Sequence, residues 1–199
     1  LMEYSHDDHL LKLEIGFGMG EFLISMAKRE PDSNFVGIDF SQNGIKKILE
    51  NIRSSQLKNI LVVFGDVREK LPHLFRAEEL NSVYINLPDP WPKKRHFKRR
   101  LIKPELVKLI SQKLAPNGCV HLATDSESYA MEMLEYFKAE SSMQNVNHET
   151  GISYVRKNLP KTKYEKSFLY AGDKIHYLEY SKVIDGEAHT KKEETGPYP

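Results

Sequence analysis

The chain has 199 residues, a net charge of only +1 and a single cysteine, Cys119. Its apolar runs are too short to cross a membrane, one cysteine excludes an internal disulfide or a multi-cysteine metal site, and no signal-peptide pattern opens the sequence. We therefore expect a cytoplasmic protein without a membrane partner, with one domain over residues 1–184 and a polar tail, 185–199.

Short apolar runs alternate with helical patterns along the first two thirds of the chain. Strands are predicted at 11–15, 35–39, 59–66, 82–87 and 119–124. Helices are predicted at 21–30, 42–54, 67–75, 104–115 and 126–139, the second capped by Ser41. Less regular strands are expected near 152–156 and 174–183. The alternation indicates an α/β fold with a mostly parallel sheet covered on both faces.

Ligands bind to such sheets at the carboxyl ends of the strands, where the strand order reverses. The segments at these ends are Gly16–Gly20, Asp39, Asp66, Pro88–Trp91 and Asp125. Four of the five segments contain an aspartate, so we expect several carboxylates to converge on one crevice.

The first of these segments, within LEIGFGMGEF, has glycines at 16, 18 and 20 between a strand and a helix. Such glycines allow a tight turn and let a ligand approach the backbone. Glu21 stands where the dinucleotide fingerprint has its third glycine, and an acid there opposes a pyrophosphate. Together with Glu14, it favours a cofactor with a cationic centre, such as S-adenosylmethionine. A glycine turn chosen only for packing is the alternative.

Two of the aspartates follow the second and third strands. Asp39 is placed to accept hydrogen bonds from ribose hydroxyls, which serves NAD and S-adenosylmethionine alike. Asp66 could contact an adenine amino group. Either residue could instead form an Asx turn or cap a helix.

The stretch NLPDPWPKKRHFKRRLIK, from Asn86 to Lys103, joins a stiff proline loop to a dense run of cations. The prolines restrict the backbone and would hold Asp89 over the crevice, and Trp91 offers a face for stacking. The run from Lys93 to Lys103 contains seven cations and no acid, which favours binding of RNA or DNA. The alternative is a plain connecting loop anchored by the tryptophan.

Two further features have a structural interpretation. In LPKTKYEKSF the spacing of Thr162 and Glu165 is that of a capping box and predicts the start of a helix. Cys119 lies within an apolar strand and is interpreted as a core residue. The eight histidines show no metal-ligand spacing, so no metal site is expected.

Taken together, LEIGFGMGEF, PDPWPKKRHFKRR, the Thr124-Asp125 pair and TKYEK followed by G-x-x-I-x-x-L resemble the bacterial tRNA (guanine-N7)-methyltransferase family. The resemblance covers about residues 11–182 and is most specific in the proline-basic motif. It implies the class I S-adenosylmethionine-dependent methyltransferase fold, a Rossmann-like, seven-stranded sheet with an antiparallel strand near its end. It also implies that S-adenosylmethionine is the cofactor, that tRNA is the partner, and that N7 of a guanosine in the variable loop is methylated.

The resemblance also assigns residues to roles. It implies a catalytic role for Asp89. The cofactor-binding positions are Glu14, Gly16, Gly18, Gly20, Asp39, Asp66 and Asp89. The substrate-binding positions are Lys93, Asp125, Thr162, Lys163, Tyr164 and Glu165. The RNA-contacting positions are Lys94, Arg95, His96, Lys98, Arg99 and Arg100. The family more often has glutamate where Asp39 stands, which shortens the reach to the ribose.

Three alternatives stay open from the residues. A methyltransferase acting on an amino group of adenine, cytosine or glutamine uses an Asn/Asp-Pro-Pro-aromatic loop, which residues 86–91 resemble loosely. An NAD-dependent oxidoreductase is disfavoured by Glu21. A non-catalytic RNA-binding module would leave the crevice aspartates unexplained. A monomer or a weak homodimer is expected.

Overall fold

The computed structural model describes residues 9–147 and 150–183, so the predicted tail, 185–199, lies outside the described residues. Seven strands form one sheet in the order β3-β2-β1-β4-β5-β7-β6. Their bounds are Leu10–Ile15 (β1), Ser33–Asp39 (β2), Ile60–Phe64 (β3), Leu80–Asn86 (β4), Leu114–Thr124 (β5), Met143–Asn145 (β6) and His176–Lys182 (β7). The first five are parallel, whereas β7 runs antiparallel to both β5 and β6. The predicted seven-stranded sheet with an antiparallel strand near its end is confirmed.

In the part of the chain that the structure describes, six α-helices connect these strands. Their bounds are Glu21–Arg29 (α1), Gln42–Ser55 (α2), Val67–Leu74 (α3), Pro104–Lys113 (α4), Glu127–Ala139 (α5) and Lys163–Tyr170 (α6). The predicted cap of α2 is present, because the Ser41 hydroxyl accepts from the Gly44 N–H at 3.2 Å. The predicted capping box is also present: Thr162 accepts from the Glu165 N–H, and the Glu165 carboxylate accepts from the Thr162 N–H.

The core lies on both faces of the sheet because side chains alternate along each strand. Phe35 packs with α1 and α2 on one face, and Val36 packs with α3, α4 and α5 on the other. The chain builds β1, β2 and β3 outward and then returns to place β4 on the other side of β1. The strand order therefore reverses between β1 and β4, and a crevice is expected beyond their carboxyl ends.

The structure corrects one predicted strand and adds one short helix. Residues 152–156 do not form a strand, since only Ser153 pairs there, with Tyr177. Within the basic run, Lys94–Arg99 forms a 3₁₀ helix that no sequence pattern indicated. Among the described residues, no helix is both long and apolar enough to span a bilayer.

Candidate functional site

A cavity of about 370 Å³ opens at the carboxyl ends of β1, β2, β3 and β4. Its volume lies within the range of small-molecule and cofactor sites. Five of the predicted cofactor-binding residues line it together: Gly16, Gly18, Asp39, Asp66 and Asp89. The strand ends named from the sequence thus meet in one place, apart from Asp125.

The glycines of the first loop have two different environments. Gly16 and Gly18 both have positive φ, and a Cβ on either would meet open space beside the cavity. A Cβ on Gly20 would instead approach the Ile48 side chain to 2.5 Å. The first two glycines therefore leave room for a ligand against the backbone, whereas Gly20 serves close packing of α1 on α2.

Glu14, at the end of β1, is buried beside this loop. One of its carboxylate oxygens accepts a hydrogen bond from the Asn86 side-chain amide at 3.0 Å. The other, Oε2, is buried and has no partner among the described residues. Burial raises the pKa of Glu14 from 4.5 to about 8, against the opposing effects of Asn86 and Arg156. This orphaned oxygen lies beside the glycine loop, and an ammonium group such as that of S-adenosylmethionine would both supply its missing donor and favour the ionised form of Glu14.

A chain of buried polar groups leads from Glu14 to α6. Arg156 donates from Nη1 to the Asn86 Oδ1 at 2.7 Å and from Nη2 to the Glu165 Oε2 at 2.6 Å. The Tyr177 hydroxyl donates to the other Glu165 oxygen at 2.6 Å. Sequence reasoning missed Arg156 and Tyr177, because neither has a local motif that signals this role.

Glu165 is fully buried within this network. Its carboxylate is already engaged by Arg156, by Tyr177 and by the helix start. The structure therefore corrects its assignment as a direct substrate contact: Glu165 supports α6 and orients Arg156. Thr162 caps the same helix, whereas Lys163 and Tyr164 are exposed.

Asp39 shapes the glycine loop. Its Oδ2 accepts from the Gly18 N–H at 2.8 Å, and its Oδ1 accepts from the Ser41 N–H at 2.7 Å. Each oxygen retains a further lone pair toward the cavity that it lines. The side chain of Phe40, the next residue, is 75% exposed at the same cavity and offers an apolar face.

Asp66 caps α3 and pairs with a neighbouring cation. It accepts from the Arg68 backbone N–H at 2.9 Å, and Arg68 donates to both of its oxygens. The hydrogen bonds and charge of Arg68 hold the pKa of Asp66 below its ordinary value. Asp66 is therefore an ionised acceptor at the cavity wall.

The proline loop after β4 is held in an unusual backbone conformation. Leu87 and Trp91 have φ values of 50° and 42°, which L-residues seldom adopt. Such strain persists where surrounding contacts hold it and is frequent at functional sites. The loop exposes Asp89 and places Trp91 at the cavity, where the Arg99 guanidinium lies 4.9 Å from the centre of its ring.

The structure corrects the prediction that Arg100 contacts RNA. Its side chain is only 1% exposed, and its guanidinium donates to the Pro90 carbonyl, Glu132 and Ser128. It also packs over the Phe97 ring at 3.7 Å. Arg100 therefore anchors the proline loop and the 3₁₀ helix to α5. The exposed members of the predicted set are Lys93, Lys94, Arg95, Lys98 and Arg99, with His96 half-buried.

Asp125 lies outside the main cavity, in a neighbouring groove of about 470 Å³ next to β5 and β7. Tyr154 and His176 also line this groove, and their rings meet edge to face at 5.4 Å. Within the described ranges, no group of three or more His, Cys, Asp or Glu side chains is placed to hold a metal ion.

Comparison with known proteins gives concordant matches. Residues 8–178 match the model of a family described as "Putative methyltransferase". A tRNA (guanine-N(7)-)-methyltransferase of Alkalilimnicola ehrlichii is 39% identical over 170 residues, which are 85% of this chain and 71% of the relative. The protein of the same name from Acinetobacter baylyi is 39% identical over 181 residues, 90% of this chain and 73% of the relative.

Solved structures agree on the fold. A SAM-dependent methyltransferase from Aquifex aeolicus superposes with a TM-score of 0.60 at 11% identity, covering 92% of this chain and 86% of that one. The seven-stranded sheet is therefore that of the class I S-adenosylmethionine-dependent methyltransferases.

Proposed function

Because this chain belongs to the tRNA (guanine-N7)-methyltransferase family, we propose that it transfers a methyl group from S-adenosylmethionine to N7 of a guanosine in the variable loop of tRNA. One observation carries the proposal. A cofactor-sized cavity, lined by carboxylates from the strand ends, is continuous with a strained loop that leads directly into an exposed cationic segment.

The cofactor side of the site is formed by β1, β2 and β3. The backbone of Gly16 and Gly18 leaves room for the ligand, and Glu14 supplies an unmatched acceptor for its ammonium group. Asp39 accepts from the ribose hydroxyls, and Asp66 accepts from the adenine amino group. Bound there, S-adenosylmethionine supplies an electrophilic methyl group on a sulfonium.

The reaction needs no general base, because guanine N7 carries a lone pair and no proton. Catalysis then depends on alignment and on electrostatics. The guanine gains positive charge as the methyl group is transferred, and a fixed carboxylate stabilises that charge. Asp89, exposed at the cavity, is proposed for this role, and Asp125 is proposed to accept from the guanine N1–H and 2-amino group.

The cationic segment would hold the RNA. Lys93, Lys94, Arg95, Lys98 and Arg99 are exposed, and lysine and arginine bind phosphates without regard to sequence. We propose that the protein acts on tRNA in the cytoplasm as a monomer or weak homodimer. A single cysteine fits a reducing compartment.

The alternative of methyl transfer to an amino group is disfavoured by the hydrogen bonds of the Asn86 side chain. That mechanism needs a free side-chain acceptor from the first residue of the loop. Here the Asn86 amide donates to Glu14 and its oxygen accepts from Arg156, so both ends are engaged. Product analysis separates the two reactions, because 7-methylguanosine carries a fixed charge and is alkali-labile.

The direct test is methyl transfer from labelled S-adenosylmethionine to unmodified tRNA, followed by nucleoside analysis. A labelled 7-methylguanosine peak is expected, and label in a different nucleoside would refute the proposal.

Asp89→Ala should lower kcat by about 10²–10³-fold with little change in cofactor affinity, since it removes a fixed charge near the reacting base. Asp32→Ala is the matched control, because Asp32 is exposed and lies just before β2, at the amino ends of the strands and away from the cavity.

A further inference from the structure

Arg156 is a buried cation carried by a segment without regular secondary structure. It lies between the isolated bridge of Ser153 and the start of α6, and only 7% of its side chain is exposed. The centre of its guanidinium is 5.6 Å from the centre of the Phe22 ring and 5.2 Å from that of the Tyr177 ring. Aromatic rings of α1 and β7 therefore flank a charge that this segment brings into the interior.

Stability alone does not explain why this charge is buried. The desolvation of a buried ion pair offsets much of its attraction, and apolar replacement of both partners is often neutral or stabilising. The pair with Glu165 also leaves part of the guanidinium over: Nε is buried without a partner among the described residues, and Nη1 donates to Asn86. Because Asn86 lines the cofactor cavity, part of the Arg156 charge is directed toward that cavity.

The Asn86 amide joins Arg156 to Glu14. It accepts from the Arg156 Nη1 at 2.7 Å and donates to a Glu14 oxygen at 3.0 Å, so the two hydrogen bonds fix one orientation of the amide. A donated hydrogen bond and a nearby cation both favour the ionised form of a carboxyl group. Asn86 and Arg156 accordingly lower the pKa of Glu14, against the burial that raises it to about 8.

The other elements packed against Glu14 do not replace this cation. Asp39, at the end of β2, raises the pKa of Glu14, and α1 contributes only the backbone N–H of Leu23. Glu21, in the first turn of α1, is an exposed acid. Among the described residues, Arg156 is thus the cation that acts on Glu14.

We infer that Arg156 is a positioning residue for the cofactor: through Asn86 it enables Glu14 to ionise when the ammonium group of S-adenosylmethionine binds. Glu165 and Tyr177 hold Arg156 in place for this role. Arg156 itself does not line the cofactor cavity. The inference rests on the proposed function and adds to it a residue that acts on the cofactor only through others.

The affinity for S-adenosylhomocysteine, measured by calorimetry between about pH 6 and pH 8.5, tests this role without methyl transfer. In wild type Glu14 loses its proton as the ammonium group binds, so the affinity should rise about tenfold per pH unit up to a bend near pH 8. Arg156→Met should lower the affinity at pH 7 by about tenfold and move the bend to higher pH, because Glu14 then ionises without a neighbouring cation. Arg156→Lys keeps the charge and should return the bend toward that of wild type.

Two more variants separate this role from a general loss of structure. Lys12→Met is the matched control, because Lys12 is a nearly buried cation on the same strand and face as Glu14 but pairs with Glu30. It should leave the bend in place. Glu165→Gln leaves the charge of Arg156 unbalanced and should move the bend to lower pH, opposite to Arg156→Met.

An unchanged bend in Arg156→Met, or in Glu165→Gln where Arg156→Met does not fold, would overturn the inference. The free ammonium group of the ligand titrates identically in every experiment, so it cannot produce a difference between variants. A wild-type protein that shows the expected bend but forms no 7-methylguanosine would refute the proposed function and leave the role of Arg156 unaffected.

Discussion

Replacing Glu14 by glutamine should stabilise the protein without cofactor and weaken cofactor binding. The folded protein holds the Glu14 proton up to a pKa of about 8, whereas the unfolded chain releases it near 4.5. Between these values the folded state binds more protons, so the free energy of unfolding falls as pH rises, by about 1.4 kcal/mol per pH unit from this group. Glutamine has a similar shape, can still accept from Asn86 and does not ionise.

The stability of Glu14→Gln relative to wild type should therefore increase from pH 5 to pH 8, by an amount on the order of 4 kcal/mol. Urea denaturation of both proteins at several pH values measures this difference. Affinity for S-adenosylhomocysteine, measured by calorimetry, should fall by about 10–100-fold, because a charge-assisted hydrogen bond to the ammonium group is lost. Parallel stability curves for the two proteins, or an unchanged affinity, would refute the account of Glu14.

Two further perturbations test the buried framework of the site. Gly18→Ala should lower the free energy of unfolding by about 1–2 kcal/mol, because Gly18 has a positive φ, and should weaken cofactor binding. Gly20→Ala should lower it further, because its Cβ would also meet Ile48. Urea titrations of the two variants measure this ranking. Arg156→Met should lower the free energy of unfolding by about 3–5 kcal/mol, because it leaves Glu165 buried without its cation. A loss for Arg156→Met below about 1 kcal/mol would show that Arg156 does not stabilise the buried Glu165 side chain.

Local patterns were sufficient to predict the strand ends and the residues that meet there. The glycines of the first loop, Asp39 and Asp66 follow apolar runs that end at turn-forming residues, so their common edge follows from parallel pairing. The capping box of α6 was equally visible, because Thr162 and Glu165 are three residues apart. In each case the information lies within a few residues of the chain.

Burial and long-range contacts were not predictable in this way. Arg100 is one of several cations in its segment, and only the packing of Phe97 and α5 against it distinguishes an anchor from an RNA contact. Arg156 meets Asn86 across 70 residues of sequence. The sequence also could not show that Asp125 lies in a groove of its own, apart from the aspartates of the main cavity.

The family, the parallel sheet and the edge of that sheet that carries the candidate site all follow from the sequence. These depend on periodicity and on short motifs, which are properties of neighbouring residues. The tertiary structure alone decided which charged groups are free and which are used in the framework. That distinction depends on desolvation and on hydrogen-bond partners from distant elements, as Glu14 and Arg156 show, and these exist only once the chain is folded.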